Sequence, residues 1–533
     1  MTAEEPIVAD SGRWDVIVIG TGMGGGTVGL SLARQGLKVL FLEKGPDEPA
    51  KEHALTEGPS DPQGRLQVGR WPGRISMSVD GRPDTSFARM GCSVGGTSRV
   101  YGAALERYEP WDFESVPGLP HPTGGWPLTY ADMAPYYAEA ETLYRVRGSR
   151  DPLGEKDSPE LPRLPPMAPA DAQLMRDLAK AGLSPYRMHV GIAYKPDCIE
   201  CLGYGCAREC KSEAGVLAVR PAVREHGAEL RTGCDVVRLE ADSQRVTGVI
   251  YRRDGALRRV TGEIVILAAG GYRSPLVLLQ SASDLHPVGL ANSSGMVGRN
   301  MMFHCADWIA LWPSRKASPA GPRKTIATRH FMALDGVRGG LLHSTGLSAG
   351  YGNILMFLYE WFDRSRLRWL RPLRPFLRIP AKIAEKLFGN ATILSINVED
   401  LPYPENRLEP DPEDPDSGII HYRIHDELRE RMRVTRAAIA KGLSGIRHFW
   451  LHSDLRLNLG HPCGGCRFGD DPATSVLDPD CRAHDLDNLY VVDSSFMPTS
   501  GGSNPSLTIA ANALRVGDVI AARLRSEMEV AAE

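Results

Sequence analysis

The run Gly20-Thr-Gly22-Met-Gly-Gly25 has the spacing G-x-G-x-x-G. Between a strand and a helix, that spacing cradles a dinucleotide pyrophosphate. Gly20 permits a tight turn, Gly22 lets the backbone approach the phosphates, and Gly25 lets the helix pack closely on the strand. The N-terminus of the helix then faces the phosphate charge. Glu43 follows about twenty residues later, at the end of the next apolar run, where a carboxylate meets ribose hydroxyls. An acid there favours a dinucleotide without a 2'-phosphate, FAD or NAD. A ligand-free glycine turn is the bland alternative. A second chemistry-bearing run is Cys198-Ile-Glu-Cys201-Leu-Gly-Tyr-Gly-Cys206-Ala-Arg-Glu-Cys210, with four cysteines in thirteen residues. Its spacing, C-x2-C-x4-C-x3-C, is in part that of a ferredoxin-like run whose thiolates bind iron. The same residues could pair as disulfides or pack as small apolar side chains.

The elements around the glycine run are those the motif needs. Residues 14–20 read as a continuous apolar strand, 24–35 as a helix and 38–43 as a second strand, a βαβ unit. Residues 45–85, rich in Gly, Pro and charge, read as loop. A helix starts in the stretch Trp126–Tyr137, capped by Thr129. Residues 150–170 read as a Pro-rich surface linker. Strand patterns return at 229–240, 246–252 and 263–268, with a turn at Arg253-Asp-Gly. After a mixed region from 305 to 455, a strand at 489–493 and a helix over 506–524 close the chain. No internal repeat is evident, and the nucleotide-binding domain is assembled from separated pieces of chain.

At 533 residues the chain exceeds one compact core, so two domains are expected. A net charge of -3 leaves no nucleic-acid footprint. The opening Met-Thr-Ala-Glu-Glu-Pro has no basic segment followed by an apolar run, and no apolar run reaches the ~18 residues of a membrane helix. A cytoplasmic setting is the expectation, with reduced cysteines, which disfavours disulfides.

Beyond the glycine motif, the sequence resembles the glucose–methanol–choline family of FAD-dependent oxidoreductases, in its bacterial sugar and alcohol branch. Arg89-Met-Gly-Cys-Ser-Val-Gly95-Gly96-Thr-Ser98 looks like the family's flavin-clasping loop. Thr232-Gly-Cys-Asp-Val236-Val-Arg-Leu looks like the strand whose valine backbone meets the adenine. Ala268-Ala-Gly270-Gly-Tyr-Arg-Ser274-Pro275 looks like the second signature, and Glu399-Asp-Leu-Pro-Tyr-Pro-Glu-Asn406-Arg407 a segment of the substrate domain. His461-Pro-Cys-Gly464-Gly-Cys466-Arg-Phe-Gly469 is similar to H-x-x-G-T-C-R-x-G, with Gly465 in place of threonine. Val492-Asp493-Ser494-Ser495 resembles the family's cofactor-contacting V-D-A-S, and Ser503-Asn504-Pro505 its N-P.

The resemblance implies an α/β fold: a discontinuous Rossmann-like FAD-binding domain (11–110, 196–304 and 456–527) and a substrate domain built on an antiparallel sheet flanked by helices (111–195 and 305–455). It implies oxidation of a CH–OH group, as in a sugar, polyol or glycoside. Such oxidation removes a hydroxyl proton and a hydride from one carbon, and a histidine can accept the proton near neutral pH. His461 is assigned that role, and Asn504 holds the hydroxyl. His304 and His452 read as structural or surface residues. The cofactor contacts implied are Gly20, Gly22, Gly25, Glu43, Gly95, Gly96, Ser98, Val236, Gly270, Asp493, Ser494 and Pro505. Where covalent members carry a bonding side chain, this sequence has Arg99 and Val100, so a dissociable FAD is expected. Tyr101, where the family often has Asn, reads equally as packing or substrate contact. A flavin-containing lyase and a non-redox FAD-binding protein on the same fold are the alternatives. Electron acceptors of the class are oxygen, a quinone or a redox protein.

Some members carry an iron–sulfur cluster, bound by adjacent cysteines followed by C-x4-C-x3-C. Cys201, Cys206 and Cys210 match the latter spacing, but Glu200 stands where the adjacent cysteine would be, with Cys198 two residues earlier. A structural segment without metal is the expectation and a cluster the alternative. Finally, 361–388 is basic and aromatic, with Trp361, Phe362, Trp369 and Phe376 among arginines. Pro372, Pro375 and Pro380 preclude one long helix. A solvated flap, an anionic membrane contact and a dock for an acidic partner all fit it.

Overall fold

The apolar run near the start of the chain becomes the strand Ile7–Ile19 in the computed structural model, which describes residues 6–48, 61–347, 350–414, 416–452 and 455–532. It runs parallel to Val39–Leu42 on one side and to Ala256–Leu267 on the other. A parallel strand covered on both faces must be apolar throughout, and Val39, Leu40, Phe41 and Leu42 are all buried. The sheet continues as Val246–Arg253 and Asp235–Ala241 beyond Ala256–Leu267, with Glu229–Arg231 on the far edge. The turn expected at Arg253-Asp-Gly is present: Asp254 and Gly255 have φ of 51° and 76°, the left-handed pair that a tight hairpin requires. The helix Met23–Arg34 follows the first strand, and the closing helix, Ser506–Ala532, packs against it. Leu489–Val491 also joins Ala256–Leu267, so three distant pieces of chain meet on one strand. The discontinuous α/β architecture is the one the sequence implied.

The second sheet is antiparallel. Its order is His448–Trp450, Met302–Leu311, Thr392–Val398, Gly340–Ser344, Ile326–Thr328 and Tyr186–Arg187, and Arg456–Cys463 also pairs with Met302–Leu311. Thus the strand carrying His461 lies in this sheet, although the sequence grouped it with the nucleotide-binding pieces. One face is apolar: Cys305, Ile309, Ile326, Leu342, Leu394 and Ile396 pack on the helices Pro169–Lys180 and Asp426–Gly442. Side chains alternate along a strand and cross-strand partners share a face. The other face therefore carries His304, Ala306 and Trp308, then Asn397 and Ser395 opposite the last two, then Leu341 and His343 opposite those. His304, Asn397, Ser395 and His343 are buried, yet this face is polar. A buried polar face is costly unless something occupies its hydrogen bonds.

Residues 74–87 correct the reading of 45–85 as loop. Arg74–Val79 and Arg82–Phe87 form a hairpin that extends, through Gly418–Tyr422, to Arg407–Pro410. Residues 49–60 of that stretch lie outside the described residues. The segment Tyr351–Phe388 breaks into the helix Tyr351–Arg364, the 3-10 stretch Arg366–Leu377, which holds Pro372 and Pro375, and the helix Arg378–Phe388.

Candidate active site

Gly20 has φ of 96°, and a side chain there would strike the Ala268 carbonyl, so the turn admits only glycine. A Cβ at Gly25 would lie 2.1 Å from the Gly20 carbonyl oxygen, whereas one at Gly22 would meet nothing within 4 Å. The backbone at Gly22 thus borders open space, as a phosphate site needs. The second glycine turn closes on the first: a Cβ at Gly96 would stand 2.9 Å from Gly22 Cα, and Gly95 donates to Thr21 Oγ1 at 3.2 Å. Glu43 is buried beneath them. Its carboxylate accepts from Thr21 N at 3.2 Å, Thr21 Oγ1 at 2.6 Å and Gly45 N at 2.9 Å. Burial pushes its pKa up, and those bonds oppose the shift.

The remaining cofactor candidates divide by what already engages them. Ser98 spends its hydroxyl within the protein, donating to the Gly95 carbonyl at 2.5 Å and accepting from Ala214 N at 2.9 Å. The Val236 carbonyl accepts from Arg273 Nη2 at 2.9 Å. Gly270 donates to Asp493 at 2.8 Å; that carboxylate also accepts from Ser274 and from the backbone and hydroxyl of Ser495. Ser494 donates to the Pro462 carbonyl at 2.7 Å, one residue from His461. Pro505 opens the last helix, its carbonyl accepting from Ile509 N at 3.0 Å. Ser93 Oγ, Ser503 Oγ and Asn504 Oδ1 are buried without a hydrogen-bond partner. Orphaned polar atoms of this kind need a ligand or water. Together with the space at Gly22, they fit FAD.

On the substrate side, His461 Nδ1 lies 3.0 Å from His304 Nδ1 and 3.2 Å from Asn458 Nδ2. His304 Nε2 lies 3.1 and 3.0 Å from the carbonyls of Ser500 and Gly501. Carbonyls only accept, so His304 carries its hydrogen on Nε2 and, when neutral, presents a lone pair at Nδ1. The closer of the two contacts, to His304, then takes its hydrogen from His461 Nδ1, and the Asn458 amide nitrogen, a donor held in that orientation by Gly460 N on its Oδ1, only touches that atom without a hydrogen bond. This leaves His461 Nε2, which makes no hydrogen bond to the described residues, as a proton acceptor. Burial brings His304 down to about 4. Burial, with His304, His343 and Lys324 adding to it, holds His461 well below the usual imidazole range. Both rings are neutral at pH 7.

His304 also ties His461 to the loop that carries Asn504. Nearby, His343 Nε2 meets Asn397 Nδ2 at 3.1 Å. Lys324 is 3% exposed and packs against Gly102 and Gly346. Its ammonium makes no hydrogen bond among the described residues, and burial brings it down to about 8, with Glu200 opposing. His304, read from the sequence as structural or surface, is wholly buried and touches the site. His343, Asn397 and Lys324 went unread. The available signal was the alternation of Ser395 and Asn397 with Leu394, Ile396 and Val398.

Models of the GMC oxidoreductase family match residues 15–306 and 402–513. The chain belongs to that family. It is 31% identical to the 6'''-hydroxyparomomycin C oxidase of Streptomyces lividus, over 98% of this chain and 94% of the relative. It is 30% identical to the 2-methyl-1,2-propanediol dehydrogenase of Mycolicibacterium austroafricanum, over 96% of this chain and 95% of the relative. The fold is also similar to the crystal structure of pyridoxine 4-oxidase from Mesorbium loti, with a TM-score of 0.62, 19% identity, and coverage of 95% of this chain and 98% of that one.

In this GMC oxidoreductase the cysteine run lies beside the segment that follows Ser98. None of the ten cysteines is paired in a disulfide. Cys206 Sγ accepts from Cys210 N at 3.3 Å. A hydrogen bond from Cys201 is the chief cause that brings Cys206 down to about 4. Lys211 Nζ lies 2.6, 3.2, 2.9 and 2.8 Å from the carbonyls of Arg99, Tyr101, Cys201 and Tyr204, its three hydrogens shared among them, which pins the loop to the segment following Ser98. Among the described residues, no group of three or more His, Cys, Asp or Glu is placed to hold a metal ion. Tyr101 donates to the Ser212 carbonyl and is engaged in packing.

Proposed function

We propose that the protein oxidises a CH–OH group of a sugar, polyol or glycoside, with His461 as the proton acceptor and Asn504 as the hydroxyl-positioning group. The observation that carries this reading is the His304–His461 pair, whose hydrogen-bond pattern leaves His461 Nε2 unprotonated. Bound FAD would supply the hydride acceptor. His461 Nε2 takes the hydroxyl proton. The new charge then strengthens the hydrogen bond from His461 Nδ1 to His304 Nδ1, because a charged donor binds a neutral acceptor more tightly. Asn504 fixes the hydroxyl so that the C–H bond keeps one direction. Ser395, Asn397, His343 and Lys324 offer donors and acceptors suited to a substrate rich in hydroxyls. The relatives support this substrate class, being named for a hydroxyparomomycin and a propanediol.

FAD is held without a covalent bond in this proposal. Val100 is aliphatic, and the Arg99 guanidinium lies 3.7 Å from Glu213. The test is anaerobic titration with a panel of sugars, polyols and glycosides. Loss of the oxidised flavin absorbance with one class of alcohol is expected; a flavin that no alcohol bleaches would point to the lyase or binding-protein alternatives.

A further inference from the structure

Eight of the sixteen exposed large apolar side chains among the described residues fall between Trp361 and Leu387. Trp369 is 75% exposed, Phe376 63%, Ile379 62%, and Ile383 and Leu387 57% each. Scattered exposed apolar residues need no explanation, but a concentrated patch marks an interaction surface.

The helix Arg378–Phe388 sorts its residues into three bands. Leu377, Ala381, Ala384 and Phe388 recur at helical spacing and form the inward band, with Ala381 fully buried. Ile379, Ile383 and Leu387, spaced by four, form an outward apolar stripe that Phe376 extends by one turn. Arg378, Lys382 and Lys386, each one residue before a member of that stripe, form a cationic band beside it. This is the arrangement of a helix lying in a membrane interface: the stripe enters the acyl boundary while lysine and arginine stay at the headgroups.

The charge is one-sided. Within 361–388 the only acidic residues are Asp363, paired with Arg374 at 3.0 Å, and Glu385, paired with Lys382 at 2.6 Å. Arg366, Arg368, Arg371, Arg378 and Lys386 make no ion pair among the described residues. The segment is also braced against the second sheet, unlike a loose flap. Phe388 packs on Trp312 and Phe449 at ring distances of 5.4 Å each, and Phe362 is buried. Phe449, 53% exposed, extends the patch onto the sheet edge. Among the described residues, no helix is long and apolar enough to cross a membrane.

We infer that residues 366–387 dock the protein onto an anionic lipid bilayer surface, with Phe376, Ile379, Ile383 and Leu387 entering the acyl boundary and the surrounding arginines and lysines holding the headgroups. The platform sits beside the site. Phe357, on the helix before it, packs on His452, which packs on Trp308 of the polar sheet face.

The experiment is co-sedimentation of the FAD-loaded protein with vesicles of phosphatidylglycerol and phosphatidylcholine, against phosphatidylcholine alone, at low and high salt. Binding about tenfold or more stronger to the anionic vesicles, weakened by salt, is expected. The double variant Ile379→Ser, Ile383→Ser should lower that binding about tenfold, with FAD content, helicity and flavin bleaching in solution unchanged. Arg368→Glu with Arg371→Glu should abolish the preference for anionic lipid. Equal weak binding to both vesicles, insensitive to these substitutions, would overturn the inference. So would self-association that the serine variants abolish while vesicles remain unbound, which would assign the stripe to a second copy of this chain.

Discussion

His304 and His461 meet through their Nδ1 atoms at 3.0 Å, and the other nitrogen of His304 is committed to two backbone carbonyls. The pair therefore has a direction: the hydrogen it shares sits on His461. His461→Ala should retain FAD and slow flavin reduction ~10²-fold or more, since the general base is lost. His304→Leu should slow it about tenfold, because His461 then loses the acceptor that fixes its tautomer. Asn504→Ala should also slow reduction, by less than His461→Ala. Stopped-flow reduction under anaerobic conditions measures all three. Wild-type speed in His461→Ala would end its assignment as the base.

The rate of reduction should depend on pH through His461. Its pKa lies below the ordinary imidazole value, so activity should fall only as pH drops below about 6.5, when the base becomes protonated. Protonated Lys324 disfavours a second positive charge on His461. Lys324→Met removes that repulsion, raises the His461 pKa and should move the acid limb to higher pH. An unmoved limb would show that Lys324 does not act on His461.

Glu43→Ala should lower the FAD content of purified protein and leave the reduction rate of the remaining holoenzyme unchanged, as its carboxylate lies at the glycine turns and not on the polar sheet face. Acid precipitation of the wild type should leave a colourless pellet and yellow supernatant. A yellow, fluorescent pellet would demonstrate a covalent bond.

Arg329 is buried among three carboxylates: Asp151 at 2.6 Å, Glu106 at 3.2 Å and Glu109 at 3.4 Å. Arg329→Met strands them without their cation and should cost about 3–5 kcal/mol, read as a lower denaturant midpoint. Burial acts to raise the Glu106 pKa, but His189 and Arg329 bring it down to about 2, below the unfolded value of 4.5. Its contribution is therefore present above 4.5 and lost as pH falls towards 2. The wild type should lose stability across that window more steeply than Arg329→Met.

Anaerobically purified protein should show flavin absorbance bands alone, with iron far below one per chain. Stoichiometric iron and sulfide that disappear in Cys206→Ser would replace the metal-free account of the cysteine loop with a cluster.

The sequence disclosed most where chemistry constrains the backbone locally. Gly20, Gly22 and Gly25 lie within six residues, and their spacing between an apolar run and a helical pattern specifies the strand–turn–helix they occupy. It disclosed least where partners come from afar. His304 is one polar residue in the run Met302–Leu311, and its meaning depends on His461, 157 residues later. The hairpin Arg74–Phe87 was missed amid charge and glycine, although Ile75, Met77 and Val79 alternate with serines and Asp80-Gly81 supplies the turn. Its place was settled by Gly418–Tyr422, which no local pattern announces.

The strand Ala256–Leu267 bears on how the protein comes into being on the ribosome. It joins the opening strand to Leu489–Val491, and Asp493 then reaches back to Gly270 across 223 residues. The first glycine turn leaves the ribosome hundreds of residues before Val492 and Asp493, which close against it. Pairings this remote in sequence are slow to form. The nascent chain must therefore carry an unfinished parallel sheet until Leu489–Val491 has emerged, and FAD capture waits for it, open to competition from aggregation that chaperones hold off.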